Sequence, residues 1–444
     1  MQTNSPVCNV PRHVNLFSHD SKPRMNRQPV IEADRITSLD VLRGFSLLGI
    51  LLMNIIGFGL VAAAYTAPQL MIDSGTDLFA WMVIEVMAEG SMRGLFSVLF
   101  GAGIVLFLGH QPSGRGWLHL KRTSWLLVFG LINGYLLLWT GDILVTYALA
   151  GFGLYFLRHW QARSLLKLAI GLALVVSLFN TASHFGLKYL RATAMTAATQ
   201  DDGIPLSEDV IALANQWQDF EREYAPSQET IDQELMVRGE SYGQAFTWTA
   251  QHNTTILLGS LWSFLLPDAL FMMILGMALF KLGVLQGDLS RATYARMAKI
   301  GFALGLTVNG FETWFAYQSG FDLIDAFLKI APTYHLGRLG MTLGWIGLLL
   351  WLLKGGWQSK PLAAVGRMAL TNYLMQSLIA MMIFTGAGLG LVGQLPLWQL
   401  YGVVLPIWLL QLGLSTWWLN RFYYGPIEWL WRALTYGTFP TLRR

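Results

Sequence analysis

Cysteine occurs once in 444 residues, at Cys8. That excludes an intramolecular disulfide and any metal site built on several thiolates. Charge is also scarce. Asp, Glu, Lys and Arg make up 13% of the chain, against roughly 25% in a typical soluble domain. No stretch matches a Walker loop, an HExxH motif or a Cys/His cluster. ATP-driven transport and metalloprotease chemistry therefore have no footing in the sequence. Internal repeats and low-complexity tracts are missing too, and the first 40 residues lack the apolar core of a cleavable secretion signal.

What the chain does have is apolar length. Hydrophobic residues account for 54% of it, and mean hydropathy is +0.46. Nearly uncharged runs recur from end to end, and about 18 apolar residues suffice for a membrane-spanning helix. We expect an all-α polytopic membrane bundle of about ten transmembrane helices. They fall near 41–63, 80–109, 124–140, 143–157, 164–184, 254–280, 298–318, 338–353, 368–389 and 399–418. The second also reads as a short surface helix at 80–89 followed by a span from Gly94. Residues 1–35, with Pro6, Pro11, Pro23 and Pro29, read as a disordered cytoplasmic tail in which Met25 is an alternative start. Residues 36–184 and 253–444 are then two membrane halves, joined by 185–252.

The formal charge of +4 and pI near 9.1 do not require nucleic acid as a partner, because Lys and Arg accumulate on cytoplasmic loops. Starting inside, the inner segments collect Arg12, Lys22, Arg24, Arg27 and Arg35, then Arg115, Lys121 and Arg122, then Arg158, Arg163 and Lys167. Later inner segments hold Lys281, Arg291, Arg296 and Lys299, then Lys354, Lys360 and Arg367, then Arg421, Arg432, Arg443 and Arg444. The short outer loops hold only Arg93, Lys329 and Arg338. Both termini are expected to be cytoplasmic and the protein to lie in a plasma membrane. The long outer segment 185–252 is acidic, with eleven acids, and stretches such as "EDVIALANQWQDFEREY" have helical apolar spacing. It is expected to form amphipathic helices over the outer face, either as a lid or as a plain connector.

Polar side chains at membrane depth are costly and usually face a cavity or one another. Near the inner face, Asp40 and Arg43 stand one helical turn apart. With them are grouped Arg367, Asn372, Tyr373 and Gln376 in "GRMALTNYLMQS" and Glu428 in "GPIEWLWR". Arginines there suit phosphate groups; the alternative is that Asp40–Arg43 and Arg367–Glu428 are interhelical ion pairs. Near the outer face lie Arg93, Asp142, His335 and Arg338, the last two at i, i+3 spacing on one helical face. His335 is the candidate general base, with Asp142 or a neighbouring carboxylate to orient it. Asn54 comes eleven residues after Arg43, about 16 Å along a helix. That puts its amide near the midplane, where it either bridges helices or donates to an oxyanion.

Five ordered stretches, "LDVLRGFSLLGILLMNI", "SMRGLFSVLFGAGIVLF", "GDILVTYALAGF", "GRMALTNYLMQS" and "YYGPIEWLWRALTYG", run from near 36 to near 438. In them the chain resembles the DUF418 (YeiB-like) family of bacterial membrane proteins. More distantly it is similar to transmembrane acyltransferases, namely the acyltransferase-3 and heparan-α-glucosaminide N-acetyltransferase groups. Those proteins carry an acyl group from cytoplasmic acyl-CoA to an acceptor across the membrane. The acyltransferase-3 first helix reads LDxLRG with a histidine eleven residues after the arginine. Here Asp40, Arg43 and Gly44 match, and Asn54 stands at the histidine position. The N-acetyltransferase group has an asparagine in its first helix and a histidine in the next outer loop; residues 65–78 contain none. The resemblance implies acyl-CoA as co-substrate with no permanently bound cofactor and no metal. Arg43 and Arg367 would hold its phosphates, Asn54 would polarise the thioester, and His335 or Asp142 would act as base. The acceptor would be a small molecule or glycan. The alternative is a transporter or flippase whose path these polar groups line.

Overall fold

The computed structural model describes residues 35–109, 115–199, 206–328 and 332–444, and Ile36–Arg444 forms one compact unit. The expected N-terminal tail lies outside the described residues, apart from its last position. Regular structure among the described residues is helical, with a single isolated bridge between Phe422 and Arg443.

Among the described residues, six helical stretches are long and apolar enough to cross a membrane. They are α1 (Thr37–Gly59), the pair α2 (Gly75–Met87) and α3 (Ser91–Leu108), α6 (Ala162–Thr199), a stretch 261–281, α13 (Tyr334–Lys354) and α16 (Leu397–Leu419). Two shorter apolar helices are α5 (Leu144–Leu157) and α15 (Ala369–Phe384). The other two expected spans fall on α4 (Arg115–Leu131), which runs into a π-helical turn at Ile132–Leu136, and on α11 (Arg291–Gln318). The stretch 261–281 begins with a second π-helical turn, Leu261–Leu265, and continues as α10 (Leu266–Lys281).

Helix α1 is apolar around most of its circumference, and most of its residues are buried, as befits a helix surrounded by others. It sets two ends for the bundle. At the Thr37 end, Ser38 Oγ donates to Leu285 O just past α10. At the Gly59 end, Gly393 N donates to Gly59 O. Small residues let the helices approach closely where apolar transfer provides no drive. A Cβ on Gly44 would meet Leu362 O at 2.0 Å, and one on Gly366 would meet Asp40 O at 1.9 Å. Helix α1 therefore touches α14 (Lys360–Arg367) backbone to backbone. Gly301 and Gly305 of α11 meet Gly340 and Gly344 of α13 in the same manner.

The chain between α2 and α3 turns at Ala88–Gly90, where Gly90 has φ +63°. A side chain there would also collide with Arg338, whose Cδ lies 2.4 Å from the Cβ position. The expected break before Gly94 thus occurs at Gly90.

Helix α6 continues 15 residues beyond the expected span end at 184 without a break. Its extension carries α7 (Glu208–Tyr224), followed by α8 (Gln228–Glu240) and α9 (Tyr242–Leu258). Ser207, Ser227 and Ser241 start these three helices, each accepting from the backbone N–H three residues on. Arg238 of α8 fixes this segment to the bundle. Its guanidinium donates to Leu60 O at 2.7 Å, Gly57 O at 2.9 Å and Phe58 O at 3.1 Å, and pairs with Glu234 at 2.7 Å. It takes the carbonyls that end α1, which have no partner within the helix.

Candidate functional site

Where Ala88 and Met92 pack against Ile50 of α1, five elements bring a charged cluster into the bundle. From α3 comes Arg93, from α10 Asp268, from α11 Glu312, from α13 Tyr334, His335 and Arg338, and from α2 with the elbow after it Glu85 and Glu89. Arg93 pairs with Asp268 at 2.9 Å and donates to the Tyr334 hydroxyl at 3.1 Å. Arg338 pairs with Glu89, with Glu312 at 3.0 Å and with Glu85 at 3.8 Å. Its guanidinium lies over the Tyr334 ring, 3.5 Å from the centroid. The i, i+3 spacing of His335 and Arg338 does place both in this cluster.

His335 Nδ1 stands 3.3 Å from Asp268 Oδ1, and the imidazole meets the Phe271 ring edge to face. The histidine is 4% exposed, and Nε2 has no hydrogen-bond partner among the described residues. Asp268 thus faces one ring nitrogen of His335, while the other has no polar neighbour among the described residues. The partner carboxylate is Asp268, the neighbouring-carboxylate alternative, and Asp142 is engaged elsewhere.

Asp142 accepts from Asn133 Nδ2 at 2.8 Å and Val145 N at 2.9 Å. Its turn leads into α5, a helix of 14 residues, about 21 Å long. A small cleft opens beside it, lined by Asp142, Thr146, Asn253 and residues of both π-helical turns. Such turns are frequent at functional positions. Tyr373 belongs with this turn rather than with the inner group. Its hydroxyl accepts from Trp139 Nε1 and Ile143 N, each at 3.2 Å. A long side chain carries its polar atom well away from its own Cα, so helix position alone misplaces it.

At the Thr37 end, Asp40 and Arg43 form the expected pair at 3.1 Å. Arg43 also donates to Gly366 O at 3.5 Å, next in the chain to Arg367. Glu428, on α17 (Pro426–Tyr436), accepts from Leu370 N at 2.7 Å, Thr371 N at 3.0 Å and Thr371 Oγ at 2.5 Å. It caps the start of α15, where backbone donors have no partner within the helix. Asn372 and Gln376 are used for packing. Asn372 Nδ2 donates to Ser415 Oγ at 2.9 Å, Gln376 Nε2 to Gln411 Oε1 at 3.0 Å, and Gln411 Nε2 to Asn372 O at 2.9 Å. This chain of amides joins α15 to α16 away from water.

Asn54 is half-buried, and its amide has no hydrogen-bond partner among the described residues. Next to it, the Tyr65 hydroxyl donates to Met53 O at 2.6 Å. Tyr65 also feels the charges of Arg93 and Glu89.

Sequence reasoning missed Glu85, Glu89, Asp268 and Glu312. Glu85, Asp268 and Glu312 are acids within helices and Glu89 stands in the turn after α2, and Asp268 directly follows Pro267 in the run "LLPDALFMMILGMALF". An isolated acid at span depth was the available signal.

The family model described as "Protein of unknown function (DUF418)" matches residues 279–438. Over 413 residues the chain is 32% identical to the uncharacterized protein YeiB of Escherichia coli (strain K12), covering 90% of this chain and 96% of that protein. Over 435 residues it is 28% identical to the uncharacterized protein YxaH of Bacillus subtilis (strain 168), covering 92% and 96%. An uncharacterized 39.9 kDa protein from Bacillus acidopullulyticus is 29% identical over 426 residues, covering 93% and 98%.

Proposed function

The chain belongs to the DUF418 (YeiB-like) family, and from that premise we propose that it is a membrane-embedded acyltransferase. In this reading ten spans cross a bacterial plasma membrane with both termini cytoplasmic. Acyl-CoA approaches the Thr37 end, where Arg43 and Arg367 meet its phosphates, and its thioester reaches up α1 towards Asn54. The observation that carries the reading is the Asp268–His335 pair, buried beside Arg93 with His335 Nε2 unpartnered.

The chemistry follows from that geometry. His335 Nε2 takes the proton of an acceptor hydroxyl or amine as the acceptor atom attacks the thioester carbonyl. Asp268 stabilises the imidazolium. The carbonyl oxygen gains negative charge, to which the Asn54 amide donates. On collapse the C–S bond breaks, and the proton held by His335 passes to the CoA thiolate. Nothing is oxidised or reduced. The route from Asn54 to His335 opens during the cycle to admit the thioester.

The test is transfer of a radiolabelled acetyl or longer acyl group from its CoA thioester to a membrane extract or glycan mixture by the purified protein. His335→Ala should lower transfer about 10²–10⁴-fold, the usual span for a general base, with acyl-CoA affinity unchanged. Full transfer by that variant would remove the assigned base. A second reading, a proton-coupled transporter, is favoured by one observation: Glu85, Glu89, Asp268 and Glu312 outnumber Arg93, Arg338 and His335 in the cluster. Solute uptake that collapses with the proton gradient, in a protein without transfer activity, would select it.

A further inference from the structure

The Thr37 end holds a second set of arginines. Arg122 of α4 lies between two aromatic faces, 4.3 Å from the Trp431 centroid and 4.7 Å from that of Phe107. Trp431 Nε1 donates to Arg122 O at 2.9 Å, which fixes the backbone below this guanidinium. The next residue on α17, Arg432, lies over the Tyr424 ring at 4.7 Å. Arg122 stands within electrostatic range of Arg432, its neighbour in charge at this end. Carboxylates in this region are committed elsewhere: Asp40 to Arg43, and Glu428 to the start of α15. No ion pair joins Arg122 or Arg432 to a carboxylate among the described residues.

Arginines held this way repel one another, and nothing described on the protein neutralises them. Aromatic faces hold a guanidinium through its flat side and leave its edge N–H fork open. That fork matches two oxygens of a phosphate, and a compact point charge would not. We propose that Arg122 and Arg432 form a binding site for a phosphate group at the Thr37 end of the bundle. The inference deepens the acyl-CoA reading and rests on it only for the ligand's identity, since the anion site is tested without any acyl donor.

A phosphate could arrive on a soluble ester or on a phospholipid headgroup, and the experiment separates the two. Binding of inorganic pyrophosphate and of adenosine 3′,5′-bisphosphate to the full chain is measured by calorimetry in maltoside micelles, which contain no phosphate. Wild type should bind, and Arg122→Gln and Arg432→Gln should each weaken the affinity about tenfold or more. Arg122→Lys should bind more weakly than wild type because the fork is lost while the charge stays. Arg432→Gln guards against misfolding, since Arg432 lies outside the Phe107–Trp431 sandwich; its ligand-free melting temperature should match wild type.

The same titration in nanodiscs rich in phosphatidylglycerol assigns the source. Unchanged affinity favours a soluble ester, and competition by the lipid favours a headgroup; both support a phosphate site. No binding in maltoside, or binding that both glutamine variants retain, overturns it. Anion binding with the expected losses in a protein that transfers no acyl group would leave this site standing and remove the transferase reading. Acyl transfer with an unaltered Michaelis constant for the donor in both variants would do the reverse.

Discussion

Loss of Asp268 should be felt twice, and a double-mutant cycle separates the two effects. Asp268 holds Arg93 at 2.9 Å and His335 at 3.3 Å. Its side chain is 11% exposed and that of Arg93 29%, so water does little to replace the missing partner. Removing one member of such a pair costs about 3–5 kcal/mol, because the other charge is left uncompensated. Arg93 keeps its hydrogen bond to the Tyr334 hydroxyl, which puts Asp268→Asn near the lower end, about 3 kcal/mol. Arg93→Met should cost a similar amount by stranding the carboxylate. Independent sites would sum to about 6 kcal/mol, but the double variant leaves no stranded charge and should cost about 3 kcal/mol or less. The coupling is then about 3 kcal/mol, read from SDS-titration unfolding of the four proteins in mixed micelles. Transfer is the second readout. Asp268→Asn should slow it about 10²–10⁴-fold by freeing the imidazole, and more than Arg93→Met does. Coupling below about 0.5 kcal/mol, the level at which separate sites add, would refute the pairing, and with it the orientation of His335.

Arg238→Ala should destabilise the protein by about 3–5 kcal/mol, since it strands Glu234 and the carbonyls ending α1; protease cleavage within 206–240 should accelerate, and unchanged cleavage would count against the anchoring role. Gly366→Ala should cost about 1–3 kcal/mol by forcing α14 off α1, visible as a lower melting temperature, and an unshifted melt would mean that the helices separate freely. The Asp322 carboxyl is held below its usual range: burial opposes ionisation, but the hydrogen bonds and charge of Arg191 outweigh it. A carboxyl depressed in the folded state stabilises above its unfolded pKa and loses that contribution as pH falls through the folded one. Stability should therefore fall below about pH 4 by up to about 1 kcal/mol, a small amount because the pair is partly exposed, and Asp322→Asn should abolish that part of the pH dependence.

Helix type and approximate position were legible because a bilayer demands long apolar runs, and residues 37–59 or 334–354 leave little else to read. Spacing within one helix was legible as well: Asp40 does meet Arg43, and His335 lies on the face of Arg338. Partners across helices were not. Whether His335 faces Asp268 or Asp142 depends on how α10 and α13 are rotated and how deep the 140–143 turn lies, and no local pattern encodes either. Amides raised a different ambiguity. Asn54 and Asn372 look alike in sequence, yet one is left without a partner and the other is tied into a chain with Ser415 and Gln411. The difference lies in which neighbours happen to carry a matching polar atom.

The Arg238 anchor also bears on how the protein is made. The guanidinium that closes α1 lies 181 residues downstream of Gly57. At synthesis rates of about 5–20 residues per second, the tail of α1 waits roughly ten to forty seconds for it. During that interval its last carbonyls must be served by water or lipid headgroups, so the helix stays threaded but unlocked while several more helices are inserted. Maturation of the first helix is thereby coupled to completion of a segment translated nearly half a chain later, and a ribosome stalled before Arg238 would leave an early helix that the quality-control machinery can still extract.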